Sequence, residues 1–555
     1  MPGRPLALLP LLVSLLPAHL LAQGDGGALT QLYALEGSFP NESLGKSVAA
    51  LDDVDGDGVP DFAVGVSPWI CCIHPGRVEA YSGATGSLLW VATVTNSTLQ
   101  EGFAWSLARA SDRNGDGIGD LLVGVPWLDV NQPGEIQLIS GADGSLIQTY
   151  PGSGTENLGW GVAEAPDLDG DGVPEVMALA DGLVRVLSGA SGALLWTAAV
   201  AQPAYNNKCF ASLQDQTGDG IAEIALSSMA SLFYRGRVSL YSGADGSLLW
   251  TVDGESDNDR FGASVARFLD LDGDGLDDLL VGAEGWGTSS LRGAVYVLSA
   301  ADGSILAVLP YPSSSPGVSL FGGGIASGGD LDGDGVEDFA VSARSADPNG
   351  EVLLYSGATL APLATALGGG YGDGGSFGFS LTFLGDLNGD GRDEILGGSP
   401  DTDTSPSPNS VNAGMAQVFS FDSFLRTDST SLSVSAGGTL VLEVDFPASL
   451  AGQAWQLLLS ATGTGPTPFG GLLVPLSWDS LFRRTWAGDY SMFSSATGLT
   501  GVLDAQGDGQ IQVTQAPGFH AAWAGRTLYA AVVAAPAGAT ALSETSSAFA
   551  FELLP

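Results

Sequence analysis

The chain has 555 residues, of which 45% are hydrophobic, so it is long enough for several domains or for an array of repeats. It carries 62 acidic and only 18 basic residues, which gives a formal net charge of -44 at pH 7. Because nucleic acids and anionic membranes are bound by basic surfaces, this charge argues against both as partners and favours cations.

The first element in the chain is an N-terminal segment with the layout of a secretory signal peptide. Arg4 precedes an apolar stretch that ends at Ala22, so residues 1-22 are assigned to the signal. The next residue is Gln23 rather than a cysteine, which gives no indication of a lipid anchor. No later stretch reaches the roughly 18 apolar residues of a membrane span. We therefore expect a monomer that is secreted or held at the cell surface, from a bacterial source.

Three cysteines are too few for a disulfide framework. Two of them, Cys71 and Cys72, precede His74 in the sequence CCIH, which allows a soft-metal site, a strained bridge between adjacent cysteines, or a surface loop with incidental thiols. We favour the surface loop because a tetrahedral metal site needs a fourth ligand, which this stretch lacks.

Residues 23-422 are predicted to form a seven-bladed β-propeller, because one unit recurs seven times. Each copy has an FG-like pair, an acidic loop, a short apolar run and a segment similar to GxVxxYSG, most clearly in residues 261-306. Short apolar runs bounded by glycine and aspartate are typical of strands. Four antiparallel strands per unit, repeated seven times, bury their faces by packing radially around an axis.

The N-terminal strand is expected to close this ring. Blade seven has sequence for only three strands, and residues 32-45 match the outer-strand segment at 250-262, so the N-terminus supplies the fourth strand. After residue 422 the repeat stops. Alternating runs such as TLVLEVDF predict a C-terminal β-sandwich-like domain over residues 423-555, which makes the whole chain all-β.

The outer strands carry tryptophans in segments such as SGATGSLLW. These segments are similar to the Trp-docking repeats of quinone-dependent propeller dehydrogenases, but those proteins have eight blades and no acidic loop in each. We therefore interpret Trp90, Trp196 and Trp250 as packing between blades.

The acidic loops have the ligand pattern of a hard cation. In DLDGDGLDD at residues 270-278, acidic residues alternate, glycine permits the sharp turn, position 7 offers its backbone carbonyl and position 9 closes the site. An EF-hand needs a glutamate at position 12 between helices, whereas Val281 occupies that position in a predicted strand.

The fourth loop has Thr217 at position 3 and is expected to bind most weakly. The candidate ligands are Asp53, Asp55, Asp57, Val59 and Asp61; Asp112, Asn114, Asp116, Ile118 and Asp120; Asp167, Asp169, Asp171, Val173 and Glu175; Asp215, Asp219, Ile221 and Glu223; Asp270, Asp272, Asp274, Leu276 and Asp278; Asp330, Asp332, Asp334, Val336 and Asp338; and Asp386, Asn388, Asp390, Arg392 and Glu394.

The FG pair, the DxDxDGxxD loop and the following apolar-glycine run together resemble the FG-GAP repeats of the integrin alpha-chain propeller, over about residues 30-422. The resemblance implies up to seven Ca²⁺ ions in the hairpins between the first two strands of the blades, on the lower face. It also implies extracellular adhesion or recognition of a protein or carbohydrate on the upper face. The chain differs from integrins in carrying the loop in every blade and in lacking an inserted adhesion domain, so their ligand specificity is not implied.

No catalytic constellation is visible, because the histidines are isolated and the sequence has neither GxSxG nor HExxH. The alternative is a secreted carbohydrate-active enzyme, a polysaccharide lyase or hydrolase on a calcium-stabilised propeller, although no basic cluster for an anionic substrate is visible. The candidate ligand face consists of Trp69, Trp127 and Trp286, in loops that join second and third strands. Such aromatic side chains stack on sugars, anchor proteins or simply cap strand ends.

Overall fold

The structure is a computed structural model. It describes residues 19-20, 27-68, 75-93, 102-126, 133-154, 156-200, 209-229, 234-287, 291-312, 318-332, 335-346, 349-370, 375-404 and 412-423, and residues 425-554 with short gaps. The sequence predictions for Trp69, Cys71, Cys72, His74, Trp127 and Asp334 lie outside the described residues, as does the signal peptide apart from His19–Leu20.

The described part of the repeat array contains seven antiparallel sheets, one for each copy of the unit. The chain starts with β1 (His19–Leu20) and β2 (Gly27–Glu36). Blades one to three are β3 (Leu44–Ala50), β4 (Phe62–Val66), β5 (Arg77–Tyr81) and β6 (Leu88–Thr93); β7 (Ser106–Ala110), β8 (Asp120–Val125), β9 (Glu135–Ile139) and β10 (Leu146–Pro151); and β11 (Gly161–Ala165), β12 (Glu175–Ala180), β13 (Leu183–Leu187) and β14 (Leu194–Ala199).

Blades four to six follow the same order, first strand to fourth. They are β15 (Phe210–Ser212), β16 (Ile224–Ser228), β17 (Arg237–Tyr241) and β18 (Leu248–Asp253); β19 (Phe261–Phe268), β20 (Asp278–Ala283), β21 (Ala294–Leu298) and β22 (Ile305–Pro310); and β23 (Phe321–Gly329), β24 (Asp338–Ala343), β25 (Glu351–Tyr355) and β26 (Pro362–Leu367).

Blade seven is completed by the N-terminus. Its own strands are β27 (Ser380–Gly385), β28 (Glu394–Ser399) and β29 (Met415–Ser423), and β2 pairs antiparallel with β29, from Gly27 opposite Ser423 to Glu36 opposite Met415. The predicted closure of the ring by the N-terminal strand is therefore confirmed. β1 adds a fifth strand beside β2, within the segment assigned to the signal peptide.

The blades are held to one another by two recurring side-chain bonds. The indole N–H groups of Trp90, Trp196 and Trp250 donate to backbone carbonyls of the next blade at 2.9, 2.9 and 2.8 Å, so these side chains lie between blades as interpreted from the sequence. The inner strands of blades one, two, five and seven each carry a serine whose hydroxyl donates to the next blade, at 2.8 or 2.9 Å. Both bonds recur because the sequence repeats.

The seven first strands surround one axial cavity of about 550 Å³. Each contributes apolar side chains to its lining, and the residues five positions before the acidic loops are Val48, Leu107, Val162, Phe210, Val265, Ile325 and Leu381. Seven four-stranded sheets around a common axis are the architecture of a β-propeller, as predicted. The lower face is defined here as the one that carries the acidic loops, at the ends of the first strands, and the upper face as the one where those strands begin.

The described C-terminal residues form two larger sheets that share one apolar core. In the first sheet the strands lie in the order β30 (Leu425–Thr427), β32 (Gly438–Asp445), β38 (Asp508–Gln515) and β36 (Ser495–Thr497). In the second the order is β31 (Ser431–Ser433), β41 (Phe549–Leu554), β39 (Arg526–Ala535), β33 (Ala454–Ser460) and β37 (Thr500–Val502). The assignment as a β-sandwich stays a prediction. The other elements are β34 (Thr467–Phe469), β35 (Leu472–Val474), α1 (Ser480–Trp486) and β40 (Glu544–Thr545). Among the described residues, no helix has the length and apolar character needed to cross a membrane.

Candidate metal centres

Each acidic loop is shaped by the aspartate at its first position. In the first loop, Asp53 accepts hydrogen bonds from the N–H groups of Gly56 (2.7 Å) and Gly58 (2.8 Å), one on each carboxylate oxygen. In the fifth loop, Asp270 accepts the equivalent bonds at 2.6 and 2.8 Å. These bonds fold nine residues into a tight turn and bring the carboxylates at alternating positions to the same side.

Glycine is required at positions 4 and 6 by backbone conformation rather than by crowding. Gly56 and Gly58 have φ angles of 79° and 92°, and Gly273 and Gly275 have 80° and 91°. A Cβ atom built on any of the four meets nothing within 4 Å. Residues with a side chain rarely adopt these angles, so the two glycines of the DxDGDG spacing are explained by the left-handed turns of the backbone.

The acid at position 9 is the buried end of each loop. Asp61 has no exposed surface, and it accepts bonds from the N–H of Val54 in its own loop (2.7 Å) and of Gly83 in the following hairpin (2.8 Å). Asp278 and Asp338 make the same pair of contacts. The closing carboxylate therefore joins the loop to the third and fourth strands of its own blade.

The structure brings carboxylates together in five of the seven loops. Within each group, ligand oxygens lie within 4.8 Å of one another, a spacing compatible with bonds of about 2.3 to 2.6 Å to one Ca²⁺ ion. The groups are Asp53, Asp55 and Asp57; Asp167, Asp169 and Glu175; Asp215, Asp219 and Glu223; Asp270, Asp272 and Asp274; and Asp330, Asp332 and Asp338.

The remaining two loops have asparagine at position 3. The side-chain oxygens of Asn114 and Asn388 accept bonds from the N–H of Asp116 (2.8 Å) and of Asp390 (2.9 Å), so both loops keep the same turn. The fourth loop also keeps it despite Thr217 and assembles three carboxylates. Its weaker affinity stays a prediction, as does coordination by the carbonyls at position 7.

Without a cation, the loops concentrate negative charge around buried acids. Burial, followed by neighbouring aspartates, raises the pKa of Glu175 to about 7 and of Asp278 to about 6, and burial likewise raises the pKa of Glu394 to about 7. In the third loop, Oε2 of Glu175 is buried without a hydrogen-bond partner among the described residues. A hard cation would satisfy that oxygen and compensate the charge, so the donor sets fit Ca²⁺.

Neighbouring loops are linked through position 8, the residue just before the closing acid. These bonds run from Gly119 N–H to Asp52 (2.7 Å), from Arg113 to the Pro174 carbonyl, from Arg267 to Glu337 (2.8 Å), and from Asp393 N–H to the Asp330 carbonyl (3.1 Å). Each joins one blade to the next, so the position of a closing acid depends on the blade before it. These residues could not be identified from sequence, because position 8 has no common residue type.

The predicted ligand face is described only in part. Trp286 is half-buried and packs against the apolar core between blades four and five. Tyr234, on the same face, is 49% exposed. Recognition by Trp286 stays a prediction.

Comparisons with known proteins agree with this geometry. The FG-GAP repeat family matches residues 261–298, which contain the fifth acidic loop. Integrin alpha-4 of Xenopus laevis is 33% identical over 206 residues, covering 35% of this chain and 19% of that protein. Integrin alpha-5 of Xenopus laevis is 26% identical over 275 residues, covering 48% and 22%.

A human integrin alpha chain is also similar to this chain, over a shorter region. Integrin alpha-7 of Homo sapiens is 36% identical over 153 residues, covering 27% of this chain and 13% of that protein. The matched regions thus span less than a quarter of the length of these relatives. A solved structure, that of the V. cholerae biofilm matrix protein Bap1, superposes with a TM-score of 0.36 and 14% identity over 70% of this chain and 89% of that chain.

Proposed function

We propose that the chain is a calcium-stabilised recognition protein that works outside the cell, because residues 261–298 match the FG-GAP repeat family and the chain is similar to integrin alpha chains. The observation that carries the calcium assignment is the repeated donor set: alternating carboxylates with oxygens within 4.8 Å, closed by a buried acid that joins the loop to its blade. Extracellular modules of this kind bind Ca²⁺ with dissociation constants of about 10⁻⁴ to 10⁻³ M. The ions would stabilise the blades and leave the upper face for recognition.

The acids of the loops support a structural rather than a catalytic role. Position 1 accepts backbone bonds on both oxygens, and position 9 is buried between the loop and the next hairpin. A catalytic cation needs an open coordination position beside an acid, a base or a nucleophile, whereas these loops supply most ligands from nine adjacent residues. We propose binding, not catalysis, and assays on a panel of polysaccharides with and without calcium test this.

Calcium removal tests the stabilising role directly. The thermal unfolding midpoint of the full chain is measured in EDTA and in 10 mM CaCl₂, with equimolar MgCl₂ as the control. Because a ligand that binds only the folded state contributes about 2.7 kcal/mol per site at a hundredfold excess over Kd, a rise of several degrees is expected with calcium. Equal midpoints in EDTA and calcium would refute the assignment.

A further inference from the structure

The inner strands present three rings of side chains to the axial cavity. Side chains from several positions of each first strand line the cavity, and those seven, five and three positions before each loop's first aspartate are named here the upper, middle and lower ring. The middle ring is apolar in every blade: Val48, Leu107, Val162, Phe210, Val265, Ile325 and Leu381. This apolar middle ring is named here the waist of the channel.

The rings above and below the waist vary from blade to blade. Described members of the upper ring that line the cavity are Lys46, Trp105 and Phe379, and those of the lower ring are Ala50, Arg109, Ser212, Arg267, Ser327 and Phe383. Four residues of strand separate the two rings, which is about 13 Å. The two ends of the channel are therefore chemically distinct from the waist.

The charge of the lining is opposite to that of the protein. Lys46, Arg109 and Arg267 are the charged side chains among the described lining residues, and no carboxylate lines the cavity in that part of the chain. The chain as a whole has 62 acidic and 18 basic residues. At the lower rim, both arginines are paired with carboxylates, Arg109 with Asp52 and Arg267 with Asp277 and Glu337.

Lys46 is the most enclosed of the three cations. It is 6% exposed, and its Nζ atom lies 4.0 Å from the ring centroid of Trp105 and 4.3 Å from that of Phe379. Burial lowers its pKa to about 8, Asp401 opposes this shift and Arg344 adds to it, so the amine is mostly protonated at neutral pH. A cation held between two rings beside a cavity combines a charge with flat apolar surfaces.

We propose that the axial channel binds a small carboxylate-bearing ligand, with the Lys46 ammonium group as its ionic partner and the rings of Trp105 and Phe379 as its apolar walls. The cavity volume of about 550 Å³ lies within the range of about 300 to 1,000 Å³ for small-molecule sites. This inference rests on the proposed recognition function and names a ligand class for it. The carboxylate can come from a sugar acid or from an aliphatic acid, and the test distinguishes them.

The test is calorimetric titration of the calcium-loaded full chain with digalacturonate, succinate and the neutral disaccharide cellobiose, with calcium equal in cell and syringe. If only digalacturonate binds, the ligand class is a sugar acid. If succinate binds as well, the site recognises the carboxylate group whether or not a sugar carries it. Lys46→Met keeps the apolar stem and removes the charge, so at least about tenfold weaker binding is expected, in line with a charge-assisted hydrogen bond. Arg235→Met removes one positive charge outside the channel and is expected to leave binding unchanged.

Three results would overturn the inference: no binding of either acid, equal binding of cellobiose, or equal affinity of wild type and Lys46→Met. Should Lys46→Met fail to fold, Phe379→Leu replaces it, because Phe379 is half-buried and its ring is one of the two apolar walls of the site; an affinity equal to wild type then rejects the site. The calcium dependence of the unfolding midpoint is measured on the same samples. A midpoint that responds to calcium without carboxylate binding rejects the channel site alone, whereas the reverse result rejects the calcium role alone.

Discussion

Replacing Arg113 by methionine tests whether neighbouring blades are fixed to each other through their acidic loops. Arg113 lies at position 2 of the second loop, and its side chain is 8% exposed. It bonds to Glu164 of the third blade at 2.8 Å, to the carbonyl of Pro174 and, through Nε, to the hydroxyl of Ser111 at 3.0 Å. Methionine fills much of the same space but donates none of these bonds.

The expected loss of stability follows from burial. Removing one partner of a buried ion pair costs about 3 to 5 kcal/mol. Glu164 is 21% exposed and keeps the N–H and hydroxyl of Ser111, so a loss of about 2 to 3 kcal/mol is expected. The control Arg235→Met breaks a pair with Asp257 whose side chains are 39% and 56% exposed, and such a pair contributes less than about 1 kcal/mol.

The assay is urea unfolding at saturating calcium, followed by tryptophan fluorescence, for wild type and both variants. Calcium titration of Arg113→Met is also expected to show weaker binding at the third loop, because Pro174 directly precedes the closing acid Glu175. Equal losses of stability in the two variants would refute the idea that position 8 links the blades.

Two further predictions concern the loops themselves. Burial raises the pKa of Glu175 and Glu394 to about 7, above the value of about 4.3 in an unfolded chain, so the folded state takes up protons as the pH falls. In EDTA the unfolding midpoint is therefore expected to be higher at pH 5.5 than at pH 8, while calcium affinity falls through pH 7; a lower midpoint at pH 5.5 would contradict this. In calcium titrations, Asp270→Asn is expected to remove one binding site, whereas Asp215→Asn is expected to remove none. Loss of a tight site in both variants would contradict the prediction that the fourth loop binds calcium weakly.

The acidic loops could be predicted from sequence because their candidate ligands are local. All candidate side chains of a loop fall within nine residues, and glycine at positions 4 and 6 marks the turn that the backbone takes, as the φ angles of Gly273 and Gly275 show. The regular interval between loops predicts one propeller blade for each loop. The match between the segments at 32-45 and 250-262 predicts that the N-terminal strand closes the ring. Both inferences compare short segments that recur along the chain, so neither requires knowledge of contacts between blades.

Contacts between blades could not be predicted in the same way. Arg113 meets Glu164 more than 50 residues along the chain, and Lys46 and Arg267 line one channel from more than 200 residues apart. These basic residues are far apart in the sequence and come to line one channel only when the ring closes. Which residues face the axis follows from strand register, and that register is set by pairing across the whole blade.

The distribution of repeated and variable positions separates stability from recognition in this fold. On the inner strands, the residue six positions before the loop is serine in four blades and bonds to the next blade each time, and the middle ring of the channel stays apolar throughout. One position nearer the upper face, the blades instead carry Lys46, Trp105, Trp160, Ala263, Gly323 and Phe379 among their described residues. A position needed only to hold blades together would repeat as the serine does, because every blade meets the same neighbour. This variation is what the proposed recognition at the upper mouth of the channel requires, while the repeated loops on the lower face are the proposed calcium sites that would stabilise the blades.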